Sequence, residues 1–137
     1  MARARGGQLY TAPATGGSPR EVTVLGGLRH ATFADDALVY TTAEGVRRFD
    51  LADSTTTLLA RGSFDALDAD TRDVVVADAA ARELARVDLA TRRRSHVARV
   101  GTKGAAWIRL APRHVFWSEL QHYGSIWVAP RDPDGAV

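Results

Sequence analysis

The chain has 137 residues, a formal net charge of +2, 45% apolar and 25% charged residues, and no cysteine. That length makes one domain with room for a substantial core. The composition excludes a disulfide framework or thiolate site, a transmembrane helix, which needs about 20 apolar residues in a run, and any case for nucleic acid or an anionic membrane made on charge alone.

Met1–Gly7 reads as a flexible lead-in, basic but followed by no apolar stretch of secretory-signal length, so the chain reads as soluble with its compartment left open. Leu9–Ala14 is the first expected strand, Thr15–Pro19 a turn, and Arg20–Leu25 a second strand alternating polar and apolar residues. Gly26-Gly27 closes it. Four strands follow at Arg29–Ala34, Leu38–Thr42, Val46–Leu51 and Thr55–Ala60, with turns at Asp35-Asp36 and Ala43–Gly45. Another four are expected at Phe64–Asp68, Val74–Ala77, Glu83–Leu89 and Ser95–Val100. The last three are Ala105–Leu110, Val115–Glu119 and Ser125–Ala129, separated by Pro112-Arg113 and by a longer loop over Leu120–Tyr123. A turn over Arg131–Gly135 ends the pattern. One local signal conflicts. Ala77–Leu89 has strong helix propensity, with Ala80, Leu84 and Val87 on one helical face. The repeat described next overrides it.

Gly7-Gln8-Leu9-Tyr10-Thr11-Ala12-Pro13 is echoed without a gap by Gly124-Ser125-Ile126-Trp127-Val128-Ala129-Pro130. Between them, Arg48-Phe49-Asp50-Leu51-Ala52 matches Arg86-Val87-Asp88-Leu89-Ala90 at four of five positions. Short strands repeating at a period near 40 mark β-propeller blades. The expected fold class is all-β, with blades of four antiparallel strands and about three blades per chain, a partial propeller or half of a six-bladed ring. Residues 8–27 supply the third and fourth strands of an incomplete blade, 28–62 and 63–101 are full blades, and 102–137 is a blade lacking its last strand.

His114-Val115-Phe116-Trp117-Ser118-Glu119 followed by Gly124–Pro130 resembles the YWTD-type repeat of lipoprotein-receptor propellers and of bacterial TolB-like six-bladed proteins. Leu38-Val39-Tyr40-Thr41-Thr42 is a more degraded copy. The resemblance implies a propeller and a habit of binding proteins or glycans, and it implies no chemistry. Lys103 is the only lysine among the 18 basic residues. With the alanine-rich texture, that points to a GC-rich genome, and the resemblance implies a bacterial one. Propellers of this group carry about six blades on one chain. Three blades would leave two sheet edges and blade faces open, which a longer parent chain, a two-fold homodimer or a different three-blade packing resolves. In the dimer, Leu9 and Tyr10 from one end and Ile126 and Trp127 from the other form the assembly seam, competing for one slot in the closing blade.

Candidate chemistry is sparse. His30, His96, His114 and His122 show no metal-ligand spacing. The carboxylates Asp35, Asp36, Asp68, Asp70, Asp73, Asp78 and Glu119 fall mostly at hairpin turns, where aspartate serves the backbone. A glycosidase needs converging carboxylates. A propeller lactonase typically has Asn among its metal ligands, and this chain contains no Asn. Ser63, Ser118 and Ser125 lack a nucleophile elbow, and Arg92-Arg93-Arg94 reads as a solvated hairpin turn. Trp117 and Trp127 are expected in the core between blades. His30, Glu119, His122 and Tyr123 remain as ligand-binding candidates on the connections that form the ligand-bearing end of a propeller. The expectation is a non-enzymatic binding module with no catalytic residue, metal or cofactor, recognising a protein or glycan and neither nucleic acid nor membrane. A lactonase-like or glycosidase-like hydrolase working in the central channel is the alternative, as is a fragment of a longer propeller without activity of its own.

Overall fold

The computed structural model describes residues 9–22, 27–101, 103–120 and 124–132. The expected lead-in, Thr23–Leu25 of the second expected strand and most of the last turn lie outside them. The described residues form thirteen strands and no helix. β1 (Leu9–Thr11) and β2 (Arg20–Val22) pair as a two-stranded hairpin. The first full blade is β3 (Ala31–Ala34), β4 (Ala37–Thr41), β5 (Gly45–Asp50) and β6 (Thr56–Arg61). The second is β7 (Phe64–Ala69), β8 (Asp73–Asp78), β9 (Glu83–Asp88) and β10 (Arg94–Arg99). β11 (Ala105–Leu110), β12 (His114–Glu119) and β13 (Trp127–Pro130) make the third, three-stranded among the described residues. Each sheet is an antiparallel meander in chain order.

Every expected strand is present, with modest changes at its ends. β1 stops at Thr11 rather than Ala14, because Pro13 has no N–H to donate to a ladder and its carbonyl instead accepts the Gly16 N–H at 3.0 Å. β3 begins at Ala31, yet Thr41 still exchanges main-chain bonds with Arg29 and His30 at 2.9 and 2.8 Å. The helical signal over Ala77–Leu89 resolves as two strands around a turn. Asp78 accepts the Ala81 N–H at 3.1 Å, and Arg82 takes a left-handed φ of 55°. Burial on alternate sides of the sheet outweighs the local propensity.

Repeated main-chain bonds fix the phase of the blades. Leu51 donates to the Asp36 carbonyl, Leu89 to Arg72 and Arg131 to Arg113, at 3.0, 3.0 and 2.9 Å. The outer hairpins of the two full blades also match. Asp50 and Asp88 each accept the N–H two residues on, at 2.9 Å. Ser54 and Arg92 close the two turns at φ 59° and 61°.

The core lies between sheets. On the second blade Val74, Val76 and Val87 point back and pack with Val39, Val46 and Leu59 of the first. Val75, Ala77 and Leu84 point forward and pack with Ile108, Val115 and Trp117 of the third. Two buried faces explain why β8 is a nearly continuous apolar run where a half-exposed strand would alternate. The back face of the first blade carries its own cluster of Leu38, Tyr40 and Phe49, with Leu28 and Leu51 against it.

Gly45 opens β5 at φ 157°, where a Cβ would run into the Ala60 carbonyl oxygen and lie 2.9 Å from the Arg61 Cα. Both obstacles are backbone and cannot swing aside. Gly45→Ala is expected to cost about 2 kcal/mol, read as a fall in the urea midpoint at unchanged m-value.

Candidate functional site

Three inner-strand residues occupy one level, each opposite an equivalent residue of its neighbouring strand: Thr32 across from Val39, Asp68 from Val75 and Arg109 from Phe116. Thr32 Oγ1 donates to Asp68 Oδ1 at 3.5 Å, and Asp68 Oδ2 accepts the Leu110 N–H at 2.8 Å. Asp68 also takes its neighbour's Ala69 N–H at 3.0 Å. The carboxylate thus ties three blades together along their inner strands. Arg109 donates to the Ile108 carbonyl at 2.8 Å, and its guanidinium lies 5.8 Å from the Trp107 ring centre.

A second polar group joins the last two blades. Arg131, immediately after β13, is buried and donates to Asp73 Oδ2 from Nε at 3.1 Å and Nη2 at 2.9 Å. Nη1 and Nη2 also meet the two oxygens of Asp70 at 2.6 and 2.7 Å, and Nη1 donates to the Ala111 carbonyl at 3.0 Å. Burial pushes the Asp70 carboxyl up. The bonds from Arg131 and from the N–H groups of Asp73 and Arg72 outweigh that and hold its pKa at about 2. By sequence alone Arg131 stands in a turn. The available signal was its place in the repeat, since the equivalent positions hold Leu51 and Leu89.

On the outer strands, Arg94 bridges Asp78 at 2.6 Å and Glu83 at 3.3 Å, and His96 Nδ1 lies 2.7 Å from Glu83. Burial raises the Asp78 pKa, and the Arg94 and Ala81 bonds more than reverse it. These are surface contacts of small energetic weight. Among the described residues no group of three His, Cys, Asp or Glu side chains converges as a metal site.

Of the four ligand-binding candidates, His30 and Glu119 fall among the described residues, on the first and third blades. His30 is exposed on the lead-in to β3, and its N–H donates to Thr41 Oγ1 at 3.2 Å. Glu119 faces the interior of the third blade. It is buried, and its two oxygens accept Trp117 Nε1 at 3.1 Å and the Gly101 N–H at 3.2 Å, so both are engaged within the fold. His122 and Tyr123 lie outside the described residues. Of the two tryptophans expected in the core, Trp117 is buried. Trp127 is exposed on the outermost strand of its sheet among the described residues, its ring stacked on Trp117 at 6.5 Å and 18°. Of the seam residues, Leu9 and Tyr10 belong to the separate β1–β2 hairpin, while β13 holds the place beside β12 and Ile126 directly precedes it. The hairpin bounds a shallow concavity of about 410 Å³ lined by Thr11, Ala12, Pro13, Ser18 and Arg20.

Among the described residues the large exposed apolar side chains are Tyr10, Phe33, Leu120, Ile126, Trp127 and Val128. None belongs to the second blade.

No protein-family model matches the chain, and no curated protein sequence matches it. Similar folds exist among solved structures. The computationally designed Ika4 protein is 14% identical, with a TM-score of 0.69 over 91% of this chain and 79% of that one. The N-terminal domain of Nup159 is 10% identical, with a TM-score of 0.58, and this chain spans 36% of its length. A chain in a complex of S. cerevisiae Dbp5 with Nup159 and Gle1 is 13% identical, with a TM-score of 0.51 over 72% of this chain and 28% of that one. At these identities the likeness concerns the fold, and with the stacked antiparallel sheets it establishes an open, partial β-propeller.

Proposed function

We propose that the chain is a non-enzymatic β-propeller interaction module, allied to the YWTD-like and TolB-like repeats, that works by binding a protein or glycan and by self-association. The observation that carries this reading is the segregation of its exposed apolar side chains to the regions flanking the central blade, while Asp68, Asp70, Asp73 and Glu119 are committed to bonds within and between blades. Apolar surface concentrated in this way marks contact surfaces, and engaged carboxylates are poorly placed for acid–base work. Nup159, one of the similar folds, occurs in a complex with Dbp5 and Gle1.

Two measurements test this reading. A divalent-metal thermal-shift screen is expected to leave the melting temperature unmoved, where a metal-dependent hydrolase would be stabilised by about 2.7 kcal/mol at a hundredfold excess over Kd. A glycan array and a pull-down are then expected to give at least one saturable partner. Metal stabilisation together with hydrolysis of a lactone or glycoside overturns the reading.

A further inference from the structure

The two ends of the blade stack carry matching halves of the contact that already joins its blades. At the back of each inner strand, Phe33, Ala69 and Leu110 occupy one equivalent position, opposite Leu38, Val74 and Val115. The preceding blade covers Ala69 and packs against Leu110. Phe33 is 48% exposed. At the other end, Phe116 is equivalent to Val39 and Val75, which are fully buried by the blade that follows. Phe116 is only partly covered. Ile126, by the same register, stands where the first two blades bury Val46 and Leu84, and it is 66% exposed. Val128 occupies the position of Arg48 and Arg86 and is 55% exposed. Here the chain has an apolar residue in water where the first two blades carry a cation.

The back face of the first blade is also covered unevenly. Leu38, Tyr40 and Phe49 are buried with Leu28 and Leu51, whereas Ala31 and Phe33 on the inner strand are exposed. Among the described residues no inner strands of a preceding blade cover this face. The third blade has such strands in β11 and β12, with Trp107 and Phe116 on their forward side. It lacks a fourth strand among the described residues, while β1 and β2 form a two-stranded sheet of their own.

We infer that a second copy of this chain completes the junction. The front of the third blade in each copy packs on the back of the first blade in the other, making two identical junctions and six blades about one two-fold axis. The partner is identified by continuity: each copy supplies the half-junction that the other lacks, in the register used twice within the chain. Phe33 of one copy meets Phe116 and its neighbours in the other, and Val128 and Ile126 lose their exposure. The inference rests on the interaction reading and names one partner. A mass measurement reports assembly alone, and the glycan array and pull-down report other ligands, so the two readings can fail separately.

Light scattering of the wild-type chain over a dilution series is expected to show twice the 14.8 kDa chain mass. Phe33→Asp and Phe116→Arg each damage both junctions and are expected to weaken the dimer at least about 100-fold, because each buries a charge in apolar contact. Circular dichroism melts check that the monomers stay folded. Mixing the two variants is the sharper test. A mixed pair has one junction of unaltered Phe33 and Phe116 and one of opposite charges, so the dimer returns. A wild-type monomer overturns the inference in favour of a further blade on a longer chain, and mass growing beyond two copies overturns closure. Folded variants that stay dimeric, or variants that fail to complement, overturn the assigned faces.

Discussion

Replacing Arg131 by alanine is expected to cost about 3–5 kcal/mol and to lower the melting temperature by roughly 10–20 °C. Arg131 and Asp73 have side chains only 2% and 3% exposed, so truncating the cation leaves the Asp73 carboxylate buried without its charged partner. Arg131→Lys keeps the charge but loses the forked geometry that meets Asp70 and Asp73 together, and it recovers only part of the loss. The neighbouring junction supplies a repair. Ala37 and Leu89 occupy there the positions that Asp73 and Arg131 hold in the next junction. The double variant Asp73→Ala, Arg131→Leu should therefore be much closer to wild type than Arg131→Ala alone, as expected when an apolar pair replaces a buried ionic one. Urea melts of the three chains measure this. Equal losses in the single and double variants would mean that the ion pair is not what holds the third blade to the second.

Acid tests the same clasp. The folded-state pKa of Asp70, about 2, is below its ordinary value of 3.8, so ionised Asp70 favours the fold. That contribution is complete above about pH 4 and is lost as pH falls toward 2. The stability difference between wild type and Asp70→Asn is expected to shrink across that window. It should stay constant above it.

The strands were legible because their apolar positions alternate and turn residues punctuate them, and the blade period followed from repeated pentapeptides rather than from propensity. Over Ala77–Leu89 propensity alone gives a helix. The burial of Leu84 on one side of the sheet and of Ala85 and Val87 on the other exceeds that preference. Side-chain direction at the edge of the last blade was less legible. Trp127 occupies the motif position of a core aromatic, but no strand flanks β13 on its outer side among the described residues, so the ring stays exposed. The Arg131 clasp was hidden for a different reason. Its partners are 58 and 61 residues away in sequence, and no local pattern joins an arginine after one strand to two aspartates around another.

Glu119 shows how a site residue and a core residue can look alike in one dimension. It precedes a loop and stands in sequence beside a cluster of aromatic and polar residues, which favours a place on the binding end. Two residues earlier on the same face of β12 is Trp117, whose indole N–H needs an acceptor once the ring is buried, and Glu119 provides it while its second oxygen takes the Gly101 N–H. Glu119→Leu is therefore expected to cost about 3 kcal/mol, by leaving two donors unsatisfied in the interior. Glu119→Gln retains one acceptor oxygen and should cost about 1 kcal/mol. Adding Trp117→Phe to Glu119→Leu removes one orphaned donor along with its acceptor, so the double variant should be less destabilised than the two single losses combined. Urea melts followed by circular dichroism read all four chains without relying on the tryptophan that is changed. A Glu119→Leu chain as stable as wild type would place the carboxylate outside the interior and restore it to the binding face.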